Sequence, residues 1–392
     1  MIANSKESDS TLILCKLSNV EATNDFPEYV KSNLENSNVY YYSDSCAKDQ
    51  NKILEFLDIK KINTIINMEA VSLVMDVNFL TKIKSNYEVK LICWHADIAE
   101  YFDTYLVYVS QFYDLQILDE WSEIQRYKNY GFNAKWFSHG YDLKYAKDPN
   151  SKRDIDVAFV GRMDRPGRKE LFSKLSKTNL NVSIFGYGSK NGHISSEKMM
   201  ELYSNSKIIL NLTSISTVIP HFDRHRSINC LLSQVKGRIY EGGIAGAMIL
   251  TEPASSLPFY GKSGESFVVF NSSDDLIKVI DFYIKNDKER LLIAKNGFEK
   301  SLKYGSYESQ TEYLKLLIKQ TSISRVGTIY LDSLYHKFVS RLIVDIYLRS
   351  FLGFKKPDFS ILKGKRVDFL IYAFFRAFLL YPYKIYIRIK EN

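Results

Sequence analysis

Residues 236–252 read Lys-Gly-Arg-Ile-Tyr-Glu-Gly-Gly-Ile-Ala-Gly-Ala-Met-Ile-Leu-Thr-Glu, and they are the most informative segment of the chain. The pattern predicts a helix that begins near Arg238 and Glu241, then small residues, then an apolar strand. Small residues inside a helix cost roughly 0.5–1 kcal/mol each against better helix formers, so their clustering needs a reason. Two reasons are open: tight packing of the helix on a sheet, or approach of a phosphate-bearing ligand to the amides at the helix start.

Length and composition predict a globular protein of two domains and an appendage. The chain has 392 residues, of which 45% are hydrophobic and 25% charged, so wholesale disorder is excluded. Its four cysteines form no Cys-x-x-Cys pair, which argues against a zinc cluster or a disulfide framework and indicates a reducing compartment. Residues 1–10 are polar and carry acids, unlike a secretory signal, so we expect a cytoplasmic protein.

The positive charge is concentrated at the C-terminal end. The formal net charge is +8, and residues 351–392 contain nine Lys and Arg against three Asp and Glu. The aromatic run 369–389 is interrupted by Arg376, Pro382, Lys384 and Arg388, so it does not resemble a spanning helix. It predicts a helix lying among lipid headgroups at the inner face of the cell membrane, or else one packed on the protein's own core. Because nothing resembles a groove-reading motif, no nucleic-acid partner is expected.

Strands alternate with helices along the chain, which predicts an α/β protein with parallel sheets covered by helices. The expected strands are residues 11–17, 63–68, 89–94, 115–119, 134–137, 155–160, 182–185, 208–212, 247–250 and 266–270. Helices are expected near residues 169–177, 196–205, 238–245 and 274–284. A polar run at 147–154 predicts a hinge between two Rossmann-like domains facing across a cleft, 1–146 and 147–320, followed by a helical, basic, aromatic tail, 321–392. Ligands of such sheets bind at the carboxyl ends of the strands.

Three blocks carry a resemblance to a known family. They are residues 156–168, with a strand, a glycine turn and an arginine; residues 234–252; and residues 267–297. Together they resemble the GT-B glycosyltransferases of the spore-maturation (CgeB-like) type, relatives of glycosyltransferase families 1 and 4. The resemblance covers residues 150–320 well and 85–145 loosely.

The resemblance implies a GT-B, hexosyltransferase-like enzyme that needs no metal and no cofactor and uses a nucleotide sugar as co-substrate. Glu241 would hold hydroxyl groups of the donor's ribose or sugar, a task that suits a carboxylate with two acceptor oxygens. Arg238 would lie on the same turn, and cations and amides would hold the diphosphate. The residues expected to bind the donor are Gly161, Arg168, Asn211, Lys236, Arg238, Glu241, Gly242 and Gly243. The first domain would hold the acceptor, a glycan or lipid-linked acceptor of a bacterial surface.

Two residues at the end of a first-domain strand, His95 and Asp97, are candidates for the general base that deprotonates an acceptor hydroxyl, although a lone histidine is more often structural. A second cluster lies in residues 220–226, where His221, Arg224 and Arg226 either add charge to the cleft or form a solvated surface.

Other patterns are weaker or depart from the family. Retaining family 4 enzymes carry two glutamates eight positions apart, the first near the donor sugar. Glu241 matches the second, and Ser233 stands at the position of the first, which leaves open the stereochemistry of transfer and a non-catalytic binding protein. Asp154 and Asp156 have the spacing of a manganese motif but lead into a strand, so no metal site is expected. The glycines at 186, 188 and 192 resemble a dinucleotide fingerprint, which keeps a nucleotide-sugar epimerase open, but a turn near the donor explains them equally well.

Overall fold

A computed structural model describes most of the chain up to residue 326 and two positions beyond it. The residues described are 10–16, 25–43, 46–68, 71–72, 74–95, 101–138, 140–165, 167–216, 231–326, 335 and 339. Asp97, the cluster at 220–226 and the basic tail at 351–392 lie outside them.

The first half forms a six-stranded, entirely parallel sheet in the order β2-β1-β3-β4-β5-β6. Its strands are β1 (Thr11–Lys16), β2 (Ser37–Tyr42), β3 (Thr64–Asn67), β4 (Lys90–His95), β5 (Leu115–Leu118) and β6 (Ala134–Trp136). The helices between them are α1 (Asp25–Asn33), α2 (Cys46–Lys60), α3 (Val77–Asn86), α4 (Val107–Val109) and α5 (Trp121–Asn129), and a π-helical turn, Phe102–Leu106, precedes α4.

The second half forms a five-stranded parallel sheet in the order β13-β12-β9-β7-β8. Its strands are β7 (Ile155–Val160), β8 (Val182–Phe185), β9 (Ser206–Asn211), β12 (Met248–Thr251) and β13 (Val268–Val269), and β10 (Ser214–Ser216) pairs with β11 (Leu231–Ser233) as a separate antiparallel pair. The helices are α6 (Arg168–Leu175), α7 (Ser196–Ser204), α8 (Arg238–Ile244), α9 (Leu257–Tyr260), α10 (Ser273–Lys285), α11 (Asp287–Tyr304) and α12 (Tyr307–Gln320).

Each sheet is buried on both faces, because successive side chains of a strand point to opposite sides. On β1, Leu12 and Leu14 enter one hydrophobic cluster while Ile13 enters another. On β9, Ile208 and Ile209 divide in the same way between two clusters of the second domain. The two sheets therefore have separate cores, as two Rossmann-like domains require.

Within the residues that the structure describes, the chain crosses between the domains twice. The first crossing leaves β6, and the second follows α11 and enters α12, whose Leu314, Leu317 and Ile318 pack against the first sheet. The two crossings touch, since the Tyr141 amide donates to the Gly305 carbonyl over 2.9 Å. Further along, the buried ring of Tyr335 stacks on Tyr105 in the first core.

The strands expected from sequence are confirmed with shifts of one or two residues, and helices α6, α7, α8 and α10 lie where they were predicted. The prediction omitted β2, whose Ser-Asn-Val-Tyr-Tyr-Tyr sequence has no clear alternation of polar and apolar residues. It also omitted the short β10–β11 pair. No helix among the described residues is long and apolar enough to cross a membrane.

Candidate functional site

A glycine turn follows β7 at the carboxyl edge of the second sheet. The Gly161 amide donates to the Phe185 carbonyl over 2.9 Å. A Cβ at Gly161 would lie 2.4 Å from Arg238 Nη2, so the missing side chain makes room for a guanidinium. Gly186, at a φ of 113°, brings its backbone against Gly161, and a Cβ there would lie 2.3 Å from the Gly161 carbonyl oxygen. The turn after β8 thus packs closely against the glycine turn after β7.

Arg238 begins α8 and reaches across to this glycine turn. Its Nε donates to the Val160 carbonyl over 2.7 Å, and its guanidinium carbon lies 5.0 Å from the centre of the Phe159 ring. Nη1 is buried and has no hydrogen-bond partner among the described residues. A cation fixed at the end of a parallel strand is suited to hold an anionic ligand group.

Glu241 lies one turn after Arg238 on the same helix. It is half-buried, and its carboxylate accepts a hydrogen bond from the Tyr141 hydroxyl. Burial raises the pKa of Glu241 to about 7, although Arg238 and the Tyr141 bond both act to lower it. The carboxyl group therefore changes protonation near neutral pH, and its ionised form can accept hydrogen bonds from ligand hydroxyls.

The small residues of α8 are explained by packing. A Cβ at Gly242 would lie 2.4 Å from Ile249 Cδ1, and one at Gly243 would lie 2.0 Å from Ser301 Oγ. The helix is thus wedged between the sheet and α11. Of the two reasons left open by the sequence, packing is the one seen at Gly242 and Gly243, and their contact with a donor stays a prediction.

Three backbone amides at the start of α8 are hydrogen-bonded to backbone carbonyls of the same segment. The amides of Tyr240 and Glu241 both donate to the Gly237 carbonyl, and the Ile239 amide donates to that of Lys236. These three amides are therefore engaged by the helix start itself. Lys236 is half-buried beside it, with Nζ 3.3 Å from Gln234 Oε1.

Arg168 and Asn211 are buried beneath the site. Arg168 is 5% exposed and donates to the carbonyls of Arg162, over 2.6 Å, and Leu212, over 3.2 Å. Burial and the neighbouring Arg238 lower its pKa to about 10, so it stays cationic at neutral pH. Asn211 is fully buried at the end of β9, where its amide donates to Thr251 Oγ1 over 3.0 Å. Both support the strand ends, and direct contact with a donor stays a prediction.

His95 is closed off inside the first domain. It is 2% exposed, its Nε2 lies 2.5 Å from Gln116 Oε1, and its Nδ1 lies 3.2 Å from the Tyr127 hydroxyl. Burial lowers its pKa to about 4, so the ring is neutral at physiological pH. A general base must reach the proton that it removes, and this ring has both nitrogens engaged. His95 therefore has the contacts of a core residue, and its catalytic role stays a prediction.

Asp156, from the pattern with manganese-motif spacing, makes structural contacts. Asp156 pairs with Lys207 over 2.7 Å, and its other oxygen accepts from the Asn181 amide, so its pKa is lowered despite burial. No group of three potential metal ligands occurs within the part of the chain that the structure describes. Ser233 is exposed at the end of β11.

Sequence reasoning missed the acids at the end of β5, which face the second domain. Asp119 accepts from Gln234 Nε2 over 3.2 Å, and Glu120 accepts from the Val235 amide over 3.1 Å and from the Ser255 hydroxyl. Glu120 is 3% exposed. The only signal was two consecutive acids directly after a strand.

Comparisons with known proteins agree with this architecture. Residues 165–315, less than half of the chain, match a family described as glycosyl transferase-like. Similar solved structures include Anabaena HepE in complex with UDP-glucose, 12% identical over 79% of this chain and 99% of that chain, with a TM-score of 0.59. Sucrose-phosphate synthase from Thermosynechococcus elongatus is 10% identical over 80% and 98%, with a TM-score of 0.61. A glycosyltransferase from Rickettsia africae is 10% identical over 80% and 98%, with a TM-score of 0.58. A search of curated sequences found no significant match.

The likeness shows the fold. Two parallel α/β domains with two chain crossings form the GT-B architecture, and this chain has it.

Proposed function

We propose that the protein is a glycosyltransferase that moves a sugar from a nucleoside diphosphate to an acceptor hydroxyl. The observation that carries the proposal is the placement of Arg238 and Glu241 on one helix turn beside the glycine turn at the carboxyl edge of the second sheet. The glycosyl transferase-like match includes both residues, and HepE, a protein of the same fold, was solved with UDP-glucose.

The two side chains suit the two halves of such a donor. In the transfer, the bond between the anomeric carbon and the phosphate oxygen breaks, a bond from the anomeric carbon to the acceptor oxygen forms, and the proton of the acceptor hydroxyl passes to the leaving diphosphate or to water. The leaving nucleoside diphosphate gains negative charge, which the cation of Arg238 stabilises, with Lys236 as a second cation. The ionised Glu241 accepts hydrogen bonds from ribose or sugar hydroxyls. Arg168 and Asn211 hold the strand ends in place from below.

A panel of UDP-, GDP-, ADP- and dTDP-sugars tests the proposal. We expect one nucleotide to raise the melting temperature and its sugar to be released slowly to water, which substitutes for the acceptor. Conversion of the sugar to its epimer would instead identify a nucleotide-sugar epimerase. No stabilisation by any member of the panel would contradict the proposal.

A second function, nucleotide-sugar binding without transfer, is favoured by one observation. Ser233 stands where retaining relatives carry an acid, and it is an exposed residue of a short strand rather than a buried one. Donor binding without release of the sugar, even when acceptors are supplied, would favour this second function.

We further propose that the acceptor is a bacterial surface glycan, lipid-linked or lipopolysaccharide-like, met at the inner face of the cell membrane. The support is the excess of Lys and Arg among the aromatic residues of 351–392, each contributing on the order of 1 kcal/mol near an anionic surface. Deleting 351–392 should move the protein from the membrane fraction to the soluble fraction; an unchanged distribution of a folded protein would contradict the idea. We also expect EDTA to leave transfer unchanged, since the proposed chemistry uses Arg238 where other enzymes use a metal.

A further inference from the structure

Tyr141 stands where both chain crossings meet. It lies after β6, in the first crossing, and belongs to neither sheet. Its amide donates to the Gly305 carbonyl over 2.9 Å, and its carbonyl accepts from the Tyr307 amide over 3.1 Å. Gly140 allows this contact, because a Cβ there would lie 2.5 Å from the Ser306 carbonyl oxygen. The main chain of Tyr141 is therefore fixed by the second crossing.

The side chain of Tyr141 reaches the second domain. Its hydroxyl donates to the Glu241 carboxylate, and a Cβ at Gly237 would lie 1.8 Å from that hydroxyl oxygen and 3.3 Å from Glu241 Oε1. The glycine before α8 thus leaves the space in which the tyrosine and the glutamate meet. Burial, with the Glu241 charge second, raises the pKa of Tyr141 well above its usual value, so the hydroxyl stays a hydrogen-bond donor.

We propose that Tyr141 is a positioning residue that fixes the Glu241 carboxylate for donor binding and ties its orientation to the junction of the two domains. The proposal rests on the proposed function, since it assigns a positioning partner to the donor-binding carboxylate. Tyr141 holds the carboxylate through one hydrogen bond, and a carboxylate has about four acceptor positions, so capacity remains for donor hydroxyls.

The surroundings of Glu241 predict what removal of the hydroxyl does. The titratable groups that face it among the described residues are Arg238 on its own helix, Tyr141, Tyr203 of α7 and Tyr307 of α12. Of these, Arg238 and Tyr141 favour the ionised carboxylate. Without the Tyr141 bond, Glu241 should hold its proton to higher pH.

Tyr141→Phe tests the proposal, because it keeps the ring and removes only the hydroxyl. We expect the pH midpoint of nucleotide-sugar binding to rise by about one unit, which is about tenfold weaker binding below the midpoint, with affinity recovering at high pH. Tyr145→Phe, a tyrosine of the same connection whose ring lies beside Lys144, is the matched control and should leave the profile unchanged. A profile that is the same in wild type and Tyr141→Phe would overturn the proposal.

Gly237→Ala supplies an independent second variant. In the wild type its methyl group must displace the Tyr141 hydroxyl, whereas in Tyr141→Phe the nearest ring atom lies 3.1 Å away. We therefore expect Gly237→Ala to shift the profile in the wild type and to add little in Tyr141→Phe. Additive shifts would contradict a shared contact.

A measurement without donor separates failure of this proposal from failure of the proposed function. Carbon-13 NMR of glutamate-labelled protein follows the Glu241 carboxyl, whose signal is the one lost in Glu241→Gln. The Glu241 midpoint should rise in Tyr141→Phe in the ligand-free protein. If it rises and no nucleotide sugar binds the wild type, the donor assignment fails while the Tyr141 contact stands; if it does not rise, the contact itself is refuted.

Discussion

The carboxyl edges of the two sheets carry titratable side chains of opposite character. At the first sheet, His95 ends β4 with both ring nitrogens engaged by Gln116 and Tyr127, buried and neutral. At the second sheet, Arg238 and Glu241 combine an opposite pair of charges with a glycine turn. His95 thus has its hydrogen-bonding capacity met by residues of its own domain. The second edge differs in that Arg238 Nη1 is buried without a hydrogen-bond partner among the described residues.

The largest effect is expected from Arg238→Ala at the second edge. Loss of charged hydrogen bonds to the diphosphate should weaken nucleotide-sugar binding about 100-fold, or about 3 kcal/mol, measured by calorimetry. Arg162→Ala is the matched control, because Arg162 is 54% exposed and paired with Asp164. Equal affinities for the two variants would remove Arg238 from the site.

The next largest effect is a loss of stability when His95, at the carboxyl edge of the first sheet, is replaced. His95→Ala leaves buried polar groups of Gln116 and Tyr127 without their partner, so the free energy of unfolding should fall by about 2–3 kcal/mol in urea titrations. The exposed His193→Ala should change it by less than about 0.5 kcal/mol.

Donor affinity of the folded His95→Ala variant should be unchanged. A fully stable His95→Ala that had lost sugar transfer would make His95 catalytic and reverse the comparison between the two edges.

A smaller effect is expected from pH. Since only the ionised Glu241 accepts hydrogen bonds through both oxygens, donor affinity should rise with pH and level off above about 7, changing about tenfold per unit below that. Glu241→Gln should abolish this dependence. A wild-type profile that is flat between pH 5.5 and 8 would contradict the role of Glu241, where these limits bracket its pKa by roughly one unit or more.

The raised pKa of Glu241 affects stability in the opposite direction: donor affinity should rise with pH, whereas the free energy of unfolding should fall. The folded state holds the Glu241 proton more tightly than the unfolded chain, whose glutamate titrates near 4.5. The contribution of this group to the free energy of unfolding is therefore greatest below that pH and declines as pH rises towards 7. Urea titrations of wild type and Glu241→Gln across this window should diverge with rising pH, the wild type losing stability relative to the variant.

Local patterns in the sequence predicted the parallel sheets and placed Arg238 and Glu241 on one helix turn. These patterns failed where the hydrogen-bond partners of a side chain come from distant segments of the chain. The satisfied state of His95 depends on Gln116 and Tyr127, which only the fold brings together. Likewise, the Tyr141 contact joins residues 100 positions apart through two chain crossings, and no periodicity reports such a contact.

The glycines of α8 show the limit in another way. The small residues correctly predicted that another group packs closely against α8, but they do not identify that group. At Gly243 it is Ser301, on a helix that follows much later in the chain. The identity of the neighbour is a property of the tertiary fold, whereas the need for a small residue is local.

The most direct test of a donor site on the second domain is calorimetric binding of nucleotide sugars to wild type, Glu241→Ala and His95→Asn at pH 8. We predict that the wild type binds one donor per chain, that Glu241→Ala binds it at least about tenfold more weakly, and that His95→Asn keeps wild-type affinity. Equal affinities of wild type and Glu241→Ala, or loss of binding in a folded His95→Asn, would contradict the account.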